Sequence, residues 1–215
     1  MILATFNGIN IIALPCDTIP GVASPSSIDW NPQEKVGETD VAFGYQAQVW
    51  DWMQSSWYGQ VSFPAMGRLS ADSWSSFLME CRGPLNAFIL GDPEAALPKG
   101  SPQGTPVVSG AGQTGYSLVT RGWPPSLYRL LMVGDNIQIG YRLYRVLDQV
   151  NSDASGNATL SVWPNLRDQP ADGTSVALYN CKGLFRLVKG GESKFSTNIG
   201  SRGFSGLQIR EAGVA

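Results

Sequence analysis

The chain has 215 residues, 43% of them hydrophobic, with 15 basic and 17 acidic side chains and a net charge of −2, enough apolar material for one well-filled core or two small ones. It contains no histidine and only three cysteines, Cys16, Cys81 and Cys181, with no C-x-x-C pair, which argues against a Ser-His-Asp hydrolase, a histidine-bound zinc and a disulfide scaffold. Its charges are scattered singly, and without a concentrated basic surface to neutralise phosphates it does not read as a nucleic-acid binder.

In chain order, the opening MILATFNGINIIALP has no basic leader and falls well short of the roughly 20 apolar residues that span a bilayer. Neither an export signal nor a membrane anchor is expected, and the cysteines read as buried thiols of a protein made in a reducing cytoplasm. Residues 1–40 carry Pro15, Pro20, Pro25 and Pro32, so only Ile9 to Leu14 is predicted as a strand and the rest as an extended arm, expected to lie across a neighbouring subunit. From Val41 to Val49 apolar residues alternate with Ala42, Gly44, Gln46 and Gln48. Trp57, Val61 and Phe63 continue the same parity beyond Gln54-Ser55-Ser56. That pattern predicts a hairpin pairing Met53 with Trp57, both apolar sets on one face, with a bulge or twist at Trp50.

Trp74, Phe77, Leu78 and Cys81 fall at i, i+3, i+4 and i+7, which predicts a core-facing helix capped by Ser70 and stopped by Gly83-Pro84. A short buried strand, Phe88 to Leu90, follows. Between Gly91 and Gly122 there are 7 glycines and 4 prolines, the composition of an irregular crossing segment and a domain boundary. Beyond it five short strands are predicted, 116–121, 135–139, 142–150, 158–163 and 176–179, which suit a small OB-like barrel. Arg121 to Pro124 and Ser161 to Pro164 both end in Trp-Pro, which suggests two strand ends side by side at one rim. Strands at 184–188 and 204–209 are expected to rejoin the first sheet. The fold class is therefore mainly β: a first domain with one helix whose sheet is built from both ends of the chain, residues 1–95 and 181–215, and an inserted OB-like barrel, residues 96–180.

Three motifs are set aside by their context. Gly110-Ala-Gly-Gln-Thr-Gly115 matches the dinucleotide G-x-G-x-x-G string, but a strand follows it, so no helix N-terminus faces a phosphate. Asn151 to Asn157 opens like a calcium loop, yet its twelfth position is Val162 and its flanks are strands, so it reads as an Asx-rich turn. Asn157-Ala158-Thr159 is a formal glycosylation sequon that needs export to matter. No two carboxylates can be paired across a cleft from sequence alone; neither an enzyme, a cofactor nor a metal is expected.

Seven tryptophans, at 30, 50, 52, 57, 74, 123 and 163, exceed what such a core usually needs, and large amphipathic rings favour interfaces. Trp50, Trp52 and Trp57 are candidate interface anchors; for each, ordinary core packing is the competing reading, since an inward-facing ring cannot also anchor a partner. Trp123, Tyr141, Tyr144 and Trp163 form a candidate sugar-stacking platform on the small barrel, which defines an alternative function, a carbohydrate-binding module.

The order of short motifs carries a resemblance. Trp50-Asp51-Trp52 through Trp57-Tyr58-Gly59-Gln60-Val61-Ser62-Phe63-Pro64, then Arg82-Gly83 and Phe88 to Pro93, resembles the distal tail proteins of long-tailed bacteriophages. So do Gly104 to Val108, Arg121 to Pro124, Gly134-Asp135, Gly156 to Pro164 and Lys182 to Leu187, the likeness covering roughly residues 41 to 190. The resemblance implies a structural virion protein, made in the host cytoplasm, whose homo-hexameric ring joins the tail tube protein to the baseplate hub protein. Tape measure or receptor-binding tail proteins are further implied partners. It implies that residues 1–95 and 181–215 form a split β-barrel, tail-tube-like ring domain with one helix, in some relatives with an OB-like second domain; the chain is too short for the large galectin-like arm of others. A tube-terminating or other minor tail protein is a further alternative.

Overall fold

Strands account for most of the regular structure, and the reason is the alternation of apolar and polar residues along short, turn-bounded runs. The computed structural model describes residues 2–6, 8–39, 47–190, 195–198, 201–204 and 206–213. Among these the chain forms, in order, β1 (Ile2–Phe6), β2 (Ile9–Ile12), α1 (Pro15–Thr18), β3 (Ser27–Gln33), β4 (Val36–Thr39), β5 (Gln48–Asp51), β6 (Ser56–Ser62), α2 (Arg68–Cys81) and β7 (Ala87–Gly91). There follow β8 (Val107–Val108), β9 (Gly115–Arg121), β10 (Asn136–Ile139), β11 (Arg142–Val146), β12 (Asn157–Leu166), β13 (Val176–Ala177), β14 (Lys182–Leu187), β15 (Phe195–Asn198), β16 (Ser201–Phe204) and β17 (Leu207–Glu211). The protein is mainly β and includes a barrel-like domain. None of the described helices is long and apolar enough to cross a membrane.

The chain divides into two compact units, one of residues 1–31, 57–92 and 182–215, the other of residues 32–56 and 93–181. In the first, seven strands lie in the order β1-β2-β7-β14-β17-β6-β3. β2 and β7 run parallel, while β14 pairs antiparallel with both β7 and β17, and β17 with β6. The register sets Phe185 beside Phe88 and Val61 beside Leu207. Trp57, Val61, Phe88, Phe185, Leu187 and Ile209 are buried, and ring contacts link Trp30 to Trp57 and Phe185, Phe63 to Trp74, and Phe77 to both Trp74 and Phe88. Helix α2 buries Trp74, Phe77 and Cys81, the face its periodicity predicts.

Three expectations need correction here. The described part of residues 1–40 is not a free arm: β1 and β2 form a hairpin at one edge of the sheet, β3 lies at the other, and β4 pairs with β5. Pairing within the sheet satisfies their backbone groups, which a loose arm would leave to water. Ser70 is not the cap of α2; Gly67 is, in extended conformation. Ser70 lies inside the first turn, where its Oγ accepts the Ala23 N–H at 3.0 Å while Trp74 Nε1 donates to Ala23 O at 2.8 Å, so one loop residue is gripped from both sides. The predicted hairpin across Ser55 does not form either: β5 pairs with β4, and β6 with β17. All four β5 residues are exposed, so pairing β5 with β6 would add little to the core, whereas β17 brings Leu207 and Ile209 onto the face of Val61 and Trp57. The alternation at Val41, Phe43 and Tyr45 falls outside the described residues.

The second unit is built around a six-stranded antiparallel sheet, in the order β13-β10-β11-β12-β9-β8. Its outer strands meet: Val108 N donates to Thr174 O at 2.9 Å, Gly173 N to Val108 O at 3.0 Å and Val176 N to Pro106 O at 3.0 Å, with a bridge between Val107 and Ser175. These bonds bring the sheet close to a closed barrel and cover much of its edge. Its interior is filled by Leu118, Leu130, Leu131, Ile137, Val146, Leu160 and Val162, each fully buried. β9 and β12 run antiparallel, Asn157 beside Arg121 and Ser161 beside Ser117, so the two Trp-Pro pairs sit at opposite ends of the ladder and not at one rim.

The set-aside motifs resolve as local structure. Asp153 Oδ1 accepts the Ser155 and Asn157 N–H groups at 2.8 Å each, an Asx turn whose amides hold the carboxyl below its usual pKa. Gly156 in that turn has φ +76°, and a Cβ there would lie 2.2 Å from Trp123 O. The loop from Gly110 leads into β9, braced by Gln113, which accepts the Val119 N–H at 2.6 Å and donates to Ser109 O at 2.8 Å.

Candidate interaction surface

A two-stranded ribbon alone is at best marginally stable in water, and β4–β5 is such a ribbon: Val36 faces Asp51, Gly37 faces Trp50, Glu38 faces Val49 and Thr39 faces Gln48. Its amide ladder extends one step further, Trp52 N donating to Lys35 O at 3.2 Å. Because side chains alternate, Trp50 and Trp52 share one face, with Gly37 between their positions, while Val36, Glu38, Val49 and Asp51 share the other. The Trp52 indole lies across Gly37, its Nε1 only 2.8 Å from where a Cβ would be. Trp50 is 50% exposed, Trp52 64%, and Val36, Val49 and Met53 are exposed as well. One ribbon face is thus aromatic, and the other sets Val36 and Val49 beside the carboxylates of Asp51 and Glu38.

The barrel holds both stems of this ribbon. At the entry, the Glu34 carboxylate accepts hydrogen bonds from Trp163 Nε1 and from the Tyr116 hydroxyl. Burial, with the charges of Glu34 and Asp51, raises the Tyr116 phenol above its ordinary pKa. At the exit, Ser55 Oγ donates to Asn165 Oδ1 at 2.8 Å and accepts the Asn165 N–H at 2.7 Å, and Asn165 Nδ2 donates to Met53 O at 2.6 Å. Asn165 is presented where the β12–β9 register shifts, between Ser161 and Leu166. Sequence reading missed Glu34, Ser55 and Asn165 because each is a common polar residue whose partner lies about a hundred positions away.

The three candidate anchors separate. Trp50 and Trp52 are together on the exposed ribbon, but Trp57, 3% exposed, packs edge-on against Trp30 with ring centroids 5.5 Å apart. It is a core residue, and a buried ring cannot reach a partner. The candidate sugar platform does not assemble. Trp123 and Tyr144 are each 4% exposed, and Trp123 Nε1 is satisfied inside by Thr120 Oγ1 at 2.8 Å. Tyr141 and Trp163 are half-buried, and the Trp163 indole N–H is turned to Glu34. Tyr144 faces the core alongside Val146 on β11, and Trp123, just beyond the end of β9, is drawn in by its bond to Thr120.

Reactive groups elsewhere are engaged structurally. Asp135, buried, accepts the N–H groups of Lys99, Gly100 and Met132. Arg121 grips Asp172 through two hydrogen bonds of 2.6 and 3.1 Å, and Gly110 N donates to the same carboxylate at 2.7 Å; these donors hold Asp172 down at about 2. Arg142 pairs in the same two-point manner with Asp168. Burial pushes the Cys81 and Cys181 thiols up to about 12, which suppresses the thiolate needed for nucleophilic or metal chemistry. Among the described residues no three Cys, Asp or Glu side chains are grouped to hold a metal ion. In comparisons with known proteins, no family model matches the chain and no curated protein matches it.

Proposed function

We propose that this chain is a structural subunit of the distal tail of a long-tailed bacteriophage, one of six that close a ring between the tail tube and the baseplate hub. The observation that carries this reading is the β4–β5 ribbon, whose exposed Trp50, Trp52, Val36 and Val49 are fastened to a nearly closed barrel by Glu34 and Asn165. Ring closure by identical subunits needs a projecting surface on one flank and a complementary one on the other, and a rigidly mounted apolar ribbon meets the first requirement. The ordered motifs that resemble distal tail proteins supply the identity of the ring. The carbohydrate-binding alternative loses its support with the burial of Trp123 and Tyr144.

Electron microscopy and native mass spectrometry of the purified full-length protein test the proposal. Six-fold rings, or hexamers that grow with concentration, are the expected result. A strictly monomeric protein that also fails to join purified tail tubes would overturn it.

A further inference from the structure

Strands β14, β17 and β6 place Arg186, Arg210 and Tyr58 in one row, Arg186 paired in register with Arg210 and Arg210 with Tyr58. Like charges directly opposite on neighbouring strands destabilise a sheet. Arg186 Nε is buried with no hydrogen-bond partner, and among the described residues neither guanidinium makes an ion pair. Glu211, next to Arg210 in sequence, turns to the opposite face, where Oε2 accepts the Trp57 N–H at 3.3 Å. Asp29, on the neighbouring edge strand β3, pairs with neither arginine. Loss of water around Arg186, and then the charge of Arg210, lower its pKa. Two guanidiniums and a phenol in a line are a donor array matched to carboxylates, which arginine binds through two parallel hydrogen bonds.

The ribbon carries the complementary chemistry. Residues 34–51 contain Glu34, Glu38, Asp40 and Asp51 against a single Lys35, and Glu38 and Asp51 emerge from the same ribbon face as the exposed Val36 and Val49. We propose that the Arg186–Arg210–Tyr58 row is a carboxylate receptor for a second copy of this chain, filled by Glu38 and Asp51 of that copy's ribbon. The contact is heterologous, so each subunit offers a ribbon to one neighbour and a receptor row to the other. This inference rests on the ring reading above, and it adds which surfaces meet and by what chemistry.

Oligomer formation by the full chain, followed by native mass spectrometry and sedimentation, tests it. Arg210→Gln relieves the repulsion with Arg186, so the variant is expected to unfold at the same or a higher temperature yet to associate about thirtyfold more weakly, the lower end of the loss expected of a desolvated charge pair. Arg210→Glu should weaken association further, and combining it with Glu38→Arg should recover most of the loss. If Arg210→Gln and Arg210→Glu assemble like the unmodified protein, the receptor is refuted while the ring reading stands. Failure of the charge swap to recover association would equally refute the pairing. Stabilisation of the unmodified protein by inorganic phosphate, lost in Arg210→Gln with assembly unchanged, would reassign the row to a free anion. An unmodified chain that forms no oligomer even at about 100 µM, where mass action favours weak complexes, would overturn both proposals.

Discussion

Ser55 and Asn165 stand 110 positions apart and exchange hydrogen bonds in both directions, the serine hydroxyl giving to the amide oxygen and receiving the asparagine backbone N–H. This closed pair is the mechanical root of the β4–β5 ribbon. Asn165→Ala would keep the backbone N–H bond to Ser55 but leave the Ser55 N–H, the proton of its hydroxyl and the Met53 carbonyl without their side-chain partner, at a cost of about 2 kcal/mol. Hydrogen exchange is expected to speed up over residues 48–53 while β9 to β11 keep their protection.

The tryptophans of the middle region should divide by phenotype. Trp57→Ala removes a ring packed on Trp30 and should cost about 3–5 kcal/mol of stability by denaturant unfolding. Trp52→Ala, at an exposed position, should change monomer stability by less than about 1 kcal/mol but weaken self-association by roughly 2 kcal/mol, the size of an interface hot spot. Equal effects of the two substitutions on unfolding would contradict this division.

Gly156 is required by both its conformation and its surroundings. Its φ is +76°, and the Trp123 carbonyl occupies the space a side chain would enter, while Trp123 N donates to Gly156 O at 3.1 Å. Gly156→Ala should therefore destabilise the barrel by roughly 3 kcal/mol, seen as a lowered Tm. A Gly190→Ala control, also at positive φ but with open space around it, should cost distinctly less.

Asp172 provides a pH readout. Its carboxyl is held at about 2 by Arg121 and the Gly110 N–H, below the ordinary carboxylate value of about 3.9. The folded state thus prefers the ionised form, so the clasp's contribution is fully present above about pH 4 and is lost as pH falls through about 2. An NMR titration of the Asp172 carboxyl carbon should show its midpoint near that low value, and Asp172→Asn should remove this component of the acid dependence.

The cysteines offer a simple check on the packing. With Cys81 and Cys181 buried and their thiols raised to about 12, a thiol reagent at pH 8 should modify only the half-exposed Cys16 in the folded protein, and all three after denaturation. Rapid modification of three thiols in the native state would show that the two cores open readily.

Local grammar made much of the fold legible. The i, i+3, i+7 stripe of Trp74, Phe77 and Cys81 identifies α2 and its buried face. The alternation of Leu118, Leu160 and Val162 with polar neighbours identifies the barrel strands, because burial on one side of a sheet writes a two-residue period into the sequence. Turn chemistry at Asp153 and Gly156 was equally visible, since those conformations depend on the residue itself. What tertiary structure alone decided was pairing. β5 and β6 have the same parity and an inviting turn between them, but Asn165, remote in sequence, binds Ser55, and β17 offers β6 a better-buried face than β5 can. The same applies to the aromatic residues: Trp52 and Trp57 are alike in composition and spacing, and only the strands they join expose one and bury the other. Residue type and periodicity act over a few positions and so determine elements and faces, whereas strand partners are selected by contacts between distant segments, and it is those contacts that leave Trp50 and Trp52 exposed and set Arg186 beside Arg210.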